Sequence, residues 1–198
     1  MQAEHFCGVK MIGIITGCFA SLLMITCTKD RVFAPPAAPS ALCLDTIAPN
    51  VILINEFMAK GSGFYNELNP VDGDNDWLEL YNNSCDTIFF NGNWFVTDDI
   101  LDSTKFSFPD TVLMPGQFLT LQCDGQDITM TQIHTNFSLS SNGEDLMIFY
   151  RNTQGNLLTI NRYSFGVQAS GVAMARFPDA SANWITTTNP TPGGHNMQ

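Results

Sequence analysis

Three aspartates at alternating positions give this chain its clearest capacity for chemistry. They are Asp72, Asp74 and Asp76, separated by Gly73 and Asn75. Hard cations prefer closely spaced oxygen ligands, and with no His or Cys close by in the sequence, calcium fits better than zinc. The spacing is not that of an EF-hand, whose loop needs a glycine at the sixth position, where a tryptophan stands here. A calcium site and a solvated polar turn are therefore both open interpretations.

Few residues could act as a base or a nucleophile. His134 precedes an apolar segment, and His195 lies near the end of the chain. The sequence contains no G-x-S-x-G, H-E-x-x-H, P-loop or G-x-G-x-x-G motif. A Cys–His nucleophile would need Cys85 or Cys123 beside His134, and nothing in the sequence places them together. We therefore predict that the chain is not an enzyme, with a small carboxylate-based hydrolase as the weakest alternative.

The acidic residues are concentrated in one part of the chain. The 198 residues include 8 Lys and Arg against 19 Asp and Glu, which gives a net charge of −11. Thirteen carboxylates and two cations lie between Val51 and Asp127, so this region accounts for the whole surplus. A phosphate-binding surface needs a cationic face, and this balance excludes nucleic acid as a partner.

The N-terminal segment has the pattern of an export signal. Residues 11–26 contain no charge and are too few for a bilayer span, which suits the apolar part of a secretory signal. The segment before Cys27 resembles a bacterial lipobox, and the residues after it are polar, so we expect a signal peptide over 1–26 and lipidation at Cys27. Cys18 also fits the box, but apolar residues follow it. An ordinary signal peptide with an incidental cysteine is the alternative.

The residue after Cys27 bears on where the lipoprotein is sorted. Thr28 stands there rather than Asp, which by resemblance to Gram-negative lipoproteins favours the outer membrane, on its periplasmic or its exposed side. Residues 27–50 are rich in proline and predict an extended linker between the lipid anchor and a domain over 51–198.

Export leaves three cysteines beyond the lipidation site in an oxidising compartment. None of Cys43, Cys85 and Cys123 belongs to a C-x-x-C pair, which argues against zinc. Cys123 shares the apolar side of a predicted strand with Leu119 and Leu121, so we expect a buried free thiol there. Cys43 and Cys85 are the disulfide pair we expect, and their bond would fix the linker to the domain.

From residue 51 onward the hydrophobic pattern has period two and is broken by frequent turn residues. This pattern predicts an all-β sandwich. Eight or nine strands are expected, from segments over residues 51–54, 77–81, 87–90, 105–108, 111–114, 118–123, 137–139, 146–150 and 157–165.

Short motifs of one known family follow one another in order along the chain. They are Ile54-Asn55-Glu56-Phe57-Met58-Ala59, Asp76-Trp77-Leu78-Glu79-Leu80-Tyr81-Asn82, Gly92-Asn93-Trp94-Phe95-Val96-Thr97-Asp98, Phe108-Pro109, Leu113-Met114-Pro115-Gly116-Gln117, His134-Thr135-Asn136-Phe137-Ser138-Leu139, Gly143-Glu144-Asp145-Leu146, Arg176-Phe177-Pro178-Asp179, Trp184, Thr191-Pro192-Gly193 and Asn196. Together they resemble the lamin tail domain, an immunoglobulin-like β-sandwich. Asn93 departs from the family pattern by separating a Gly and a Trp that are usually adjacent.

The resemblance implies a fold and a non-catalytic module of secreted or surface proteins, with His134 tying a loop through a hydrogen bond. We therefore expect a lipid-anchored module of the cell envelope that binds a protein, a surface polymer or cell-wall material, or that acts structurally. A calcium-dependent surface adhesion module is the alternative.

Overall fold

Every regular element in the described residues is a β-strand. The computed structural model describes residues 47–61, 76–127 and 132–198. The twelve strands are β1 Ile52–Met58, β2 Asp76–Asn82, β3 Ile88–Phe90, β4 Trp94–Thr97, β5 Phe106–Ser107, β6 Thr111–Leu113, β7 Phe118–Cys123, β8 Ile133–His134, β9 Glu144–Arg151, β10 Leu157–Phe165, β11 Ala173–Arg176 and β12 Trp184–Thr187. The predicted all-β class is confirmed.

The strands form three sheets whose neighbours are antiparallel except for the parallel pair β7–β8. One sheet has six strands in the order β12-β11-β1-β2-β7-β8, and a second has four in the order β10-β9-β4-β5. The third is the two-stranded ribbon β3–β6. This arrangement is consistent with a β-sandwich.

All three sheets contribute side chains to one hydrophobic core, because alternate residues of a strand point to opposite faces. Leu78 and Leu80 of β2 enter it, as do Leu121 and Cys123 of β7, which confirms the faces expected for these strands. The remaining large members come from the other strands and their loops, among them Phe57, Phe90, Trp94, Phe106, Phe108, Leu113, Ile148 and Ile160.

Eight of the nine predicted segments form strands, and the strand expected over 137–139 is wrong. Only a single bridge between Ser138 and Asp124 forms there. Side chains form hydrogen bonds with main-chain groups that strand pairing would otherwise use. The Thr135 hydroxyl donates to the Phe137 carbonyl at 2.7 Å, and Leu139 N–H donates to Asp76 Oδ2 at 3.1 Å. Phe137 and Leu139 are nevertheless buried in the core.

A β-bulge interrupts the pairing of β1 with β2 between Ile54 and Glu56. Ile54 and Phe57 both pack in the core, although three positions separate them. A bulge inserts one residue and so changes which side chains share a face. Asn55 and Glu56, the two polar residues between, both hydrogen-bond groups from the C-terminal part of the chain.

Several predictions concern residues beyond those described. The signal peptide over 1–26, Cys27, Cys43, Asp72 and Asp74 lie outside the described residues, and these predictions stay predictions. No helix long and apolar enough to cross a membrane is found in the described part of the chain.

Candidate functional site

Two glutamates face each other across neighbouring strands of the six-stranded sheet. Glu56 follows the bulge of β1, Glu79 lies between the core residues Leu78 and Leu80 of β2, and the register pairs the two glutamates directly. Both have no exposure to solvent. Directly opposed residues have Cβ atoms about 5 Å apart, a distance at which two like charges destabilise a sheet.

The C-terminal segment 191–196, which we call the C-terminal clasp, supplies hydrogen-bond donors to both carboxylates. Thr191 N–H donates to Glu56 Oε2 at 3.0 Å, and the Thr191 hydroxyl lies 3.1 Å from the same oxygen. Gly193 N–H donates to Glu79 Oε2 at 2.6 Å. These contacts give the buried carboxyl oxygens hydrogen-bond partners and fasten the end of the chain to the sheet.

Asn55 joins this glutamate pair to a third carboxylate. Its amide nitrogen lies 3.1 Å from Glu79 Oε1 and 3.0 Å from Asp179 Oδ1, and its amide oxygen accepts from Ala180 N–H at 3.2 Å. Asp179 also accepts from Asn196 N–H at 3.1 Å. One buried amide therefore satisfies three groups from two distant parts of the chain.

Burial changes the protonation of the pair. It raises the pKa of Glu56 to about 7, against hydrogen bonds from Thr191 that act in the opposite direction. Burial also raises the pKa of Glu79 well above its ordinary value, and the neighbouring charge of Glu56 adds to the rise. The guanidinium of Arg176 is engaged elsewhere, since Nε donates to the Ile54 carbonyl at 2.7 Å and the group lies over the Trp184 ring.

Sequence patterns do not predict this cluster, although one local signal of it is present. Asn55 and Glu56 are adjacent polar residues in an otherwise apolar strand, and such a break in alternation is typical of a bulge. The contacts of Asp179 and of the C-terminal clasp connect residues more than a hundred positions apart. No pattern in the sequence indicated those contacts.

Both histidines outside the N-terminal segment pair with an aspartate. His134 Nδ1 lies 2.7 Å from Asp124 Oδ2, at the parallel junction of β7 and β8, and its side chain is 19% exposed. This contact confirms that His134 ties a loop through a hydrogen bond. His195 Nδ1 lies 2.8 Å from Asp179 Oδ2, with its side chain 78% exposed.

Asp76 is the one member of the aspartate triplet that the structure describes. Its carboxylate accepts from Leu139 N–H at 3.1 Å, and burial raises its pKa. Among the described residues, no group of three or more His, Cys, Asp or Glu side chains could hold a metal ion. Because Asp72 and Asp74 are outside that set, the calcium site stays a prediction.

The two cysteines within the described residues are one free thiol and one disulfide-bonded residue. Cys123 is buried and free, as predicted, and burial raises the pKa of its thiol. Cys85 is disulfide-bonded. Its partner lies outside the described residues, so the pairing with Cys43 stays a prediction.

The outer face of the β3–β6 ribbon exposes large apolar side chains. Phe89 is 64% exposed and lies directly opposite Val112, which is 53% exposed. Met114 follows at the end of β6 and is 52% exposed. Their neighbours Ile88, Phe90 and Leu113 point inward and belong to the core.

Fold and site together define an all-β protein with a buried glutamate pair beneath a C-terminal clasp and an apolar ribbon on its surface. No protein-family model matches the chain, and no curated protein sequence matches it.

Proposed function

We propose that the chain is a lipid-anchored module of the cell envelope, with a lamin-tail-like, immunoglobulin-like β-sandwich that binds a partner without catalysis. A lipid on Cys27 would hold it at the outer membrane, and the linker over 27–50 would separate the domain from the bilayer. The family resemblance and the lipobox support this proposal from the sequence.

One structural observation carries the binding role. Glu56, Glu79 and His134 could each take part in acid–base chemistry but are engaged in holding the chain together, while apolar side chains of the ribbon are presented to solvent. Glu56 and Glu79 are inaccessible and bonded to the C-terminal clasp, and His134 is bonded to Asp124. A general base must reach the proton it removes from a substrate, and these carboxylates are covered.

Cells that produce the chain provide the test, both intact and with the outer membrane permeabilised. A reagent that joins carboxylates to amines should yield a cross-linked adduct of the wild-type protein in at least one of these two conditions, in the membrane fraction and labelled by a fatty-acid analogue. Cys27→Ser should lose the label, leave the membrane and lose the adduct. Cys18→Ser is the matched control and should keep all three properties.

Two results would contradict the proposal. One is a wild-type protein that forms no adduct on intact cells and none after the outer membrane is permeabilised. The other is a hydrolytic activity that disappears in Glu79→Gln while the variant stays folded, because this would make the chain an enzyme.

A further inference from the structure

We infer that the outer face of the β3–β6 ribbon docks a cationic polypeptide segment that carries apolar side chains. This inference rests on the proposed binding function and names the surface and the chemistry of the partner. The face consists of Phe89, Val112 and Met114, with Thr87 and Asp110 at its ends.

The ribbon holds these side chains in a fixed arrangement. Ile88, Phe90 and Leu113 point inward from the same two strands, and the Phe90 ring stacks on Phe108 with their centroids 4.5 Å apart. The exposed residues therefore sit on a backbone anchored by the core. A preorganised surface loses less entropy on binding than a mobile one.

The exposed side chains have the composition of the centre of an interface. Large apolar side chains dominate such centres, and a few of them carry most of the binding energy. Phe89 and Val112 are a cross-strand pair, so a partner that covers one contacts the other.

Charge decides which class of partner fits this face. Asp86 and Asp110 each lie within two residues of the ribbon strands and are exposed. Besides the buried Glu79, there are eight carboxylates between residues 76 and 127 and one cation, Lys105, whose ammonium lies 2.7 Å from Asp98 Oδ1. A cationic partner is attracted by this field, whereas an anionic lipid surface is repelled.

Charge also disfavours a second copy of the chain as the partner. Two copies would bring two acidic surfaces together, and like charges facing each other across an interface cost several kcal/mol. The partner with complementary chemistry is a basic segment with apolar side chains at alternate positions, which match the pleat of the ribbon.

The probe is a fluorescent peptide that alternates lysine and valine, added to the full chain in a neutral detergent. We expect saturable binding that weakens at high salt, and roughly tenfold weaker binding in Phe89→Ser and Val112→Ser. Leu101→Ser is the matched control: Leu101 is 91% exposed between Asp99 and Asp102 in a separate loop, and this variant should bind as the wild type does.

Three outcomes would overturn the inference. In the first, Phe89→Ser binds the peptide as tightly as the wild type does. In the second, a peptide alternating lysine and serine binds as well as the lysine–valine peptide, so that charge alone accounts for binding. In the third, a peptide alternating glutamate and valine binds equally well, so that charge plays no part. Self-association that Phe89→Ser abolishes would instead assign the face to a second copy. Thermal unfolding should show that Phe89→Ser remains folded. If Phe89→Ser does not fold, Val112→Thr replaces it in the experiment, because threonine keeps a β-branched side chain on the strand.

The cross-linking test on cells separates this inference from the proposed function. If Phe89→Ser forms the same adduct as the wild type, the module binds through another surface and only the present inference fails. If the wild type forms no adduct, the binding function itself fails.

Discussion

Glu56 and Glu79 show how a carboxylate can serve a fold without serving catalysis. Each lies in the middle of a sheet, where an ionised side chain loses its hydration, and each faces the other across the strand pair. Main-chain N–H groups of the C-terminal clasp replace part of the hydrogen bonding that water would provide. The remaining cost of desolvation raises the pKa values of both glutamates.

This cost predicts an unusual pH dependence of stability. The folded pKa of Glu56 is about 7 and its ordinary value is 4.5, so the folded state binds more protons than the unfolded state in this window. The free energy of unfolding should therefore fall as pH rises through it, with Glu56 contributing about 3 kcal/mol. Glu56→Gln cannot ionise and should show a flatter profile in denaturant titrations at several pH values.

Asp110→Asn is the control for this experiment, because Asp110 is exposed and its replacement should leave the slope unchanged. Equal slopes in the wild type and in Glu56→Gln would show that the glutamate does not hold a proton at neutral pH.

The two histidine–aspartate pairs provide a matched comparison of burial. His134→Ala removes a donor from Asp124, whose side chain is only 4% exposed, and should lower stability by about 1–3 kcal/mol. His195→Ala removes a similar contact from an exposed ring and should change stability by less than about 0.5 kcal/mol. Chemical denaturation of both variants makes the comparison, and equal effects would contradict it.

At the scale of elements, the bulge of β1 allows the C-terminal clasp to bond to the sheet. Without it, strict alternation would place either Ile54 or Phe57 outside the core. With it, both remain inside, and Asn55 and Glu56 both reach the C-terminal part of the chain.

Asn55→Ala should therefore be among the more damaging substitutions in the chain. It removes the amide shared by Glu79 and Asp179, and we expect a loss of about 2–4 kcal/mol, since each deprived buried acceptor costs about 1–3 kcal/mol. Asn93→Ala, at an exposed turn position, is the control. A loss below about 0.5 kcal/mol for Asn55→Ala, measured by urea denaturation, would refute the role of the bulge.

The sequence predicted the elements better than it predicted the site. Long strands such as β2, β7 and β10 carry enough residues of the strand pattern to be recognised, and the core faces of β2 and β7 could be assigned. β8 has only two residues, too few for a period to be visible. The strand expected over 137–139 failed because side-chain hydrogen bonds replaced the ladder. The clasp depends on long-range contacts that no local pattern encodes.

At the scale of the whole molecule, the acidic surplus bears on the calcium prediction. Asp72, Asp74 and Asp76 lie within the acidic region, where a divalent cation would relieve repulsion. If calcium binds, a concentration of ten times Kd should stabilise the folded state by about 1.4 kcal/mol. Thermal unfolding with calcium and with chelator, on the wild type and on Asp74→Asn, measures this. Identical melting temperatures in all four conditions would make the triplet a solvated turn.

The charge and the apolar ribbon also define how the molecule would meet a partner. A surface with a large negative surplus attracts cationic partners over distances of about 10 Å, and the exposed ribbon provides the contact once they meet. In this account the folded domain presents a binding face, and its buried acidic groups keep that domain intact.

Photo-cross-linking in living cells tests this claim most directly. A photoreactive residue is placed at Val112, on the ribbon face, and separately at Thr159, an exposed position of β10. We predict an adduct with another protein from position 112 and none from position 159. Adducts of equal yield from both positions, or from neither, would contradict it.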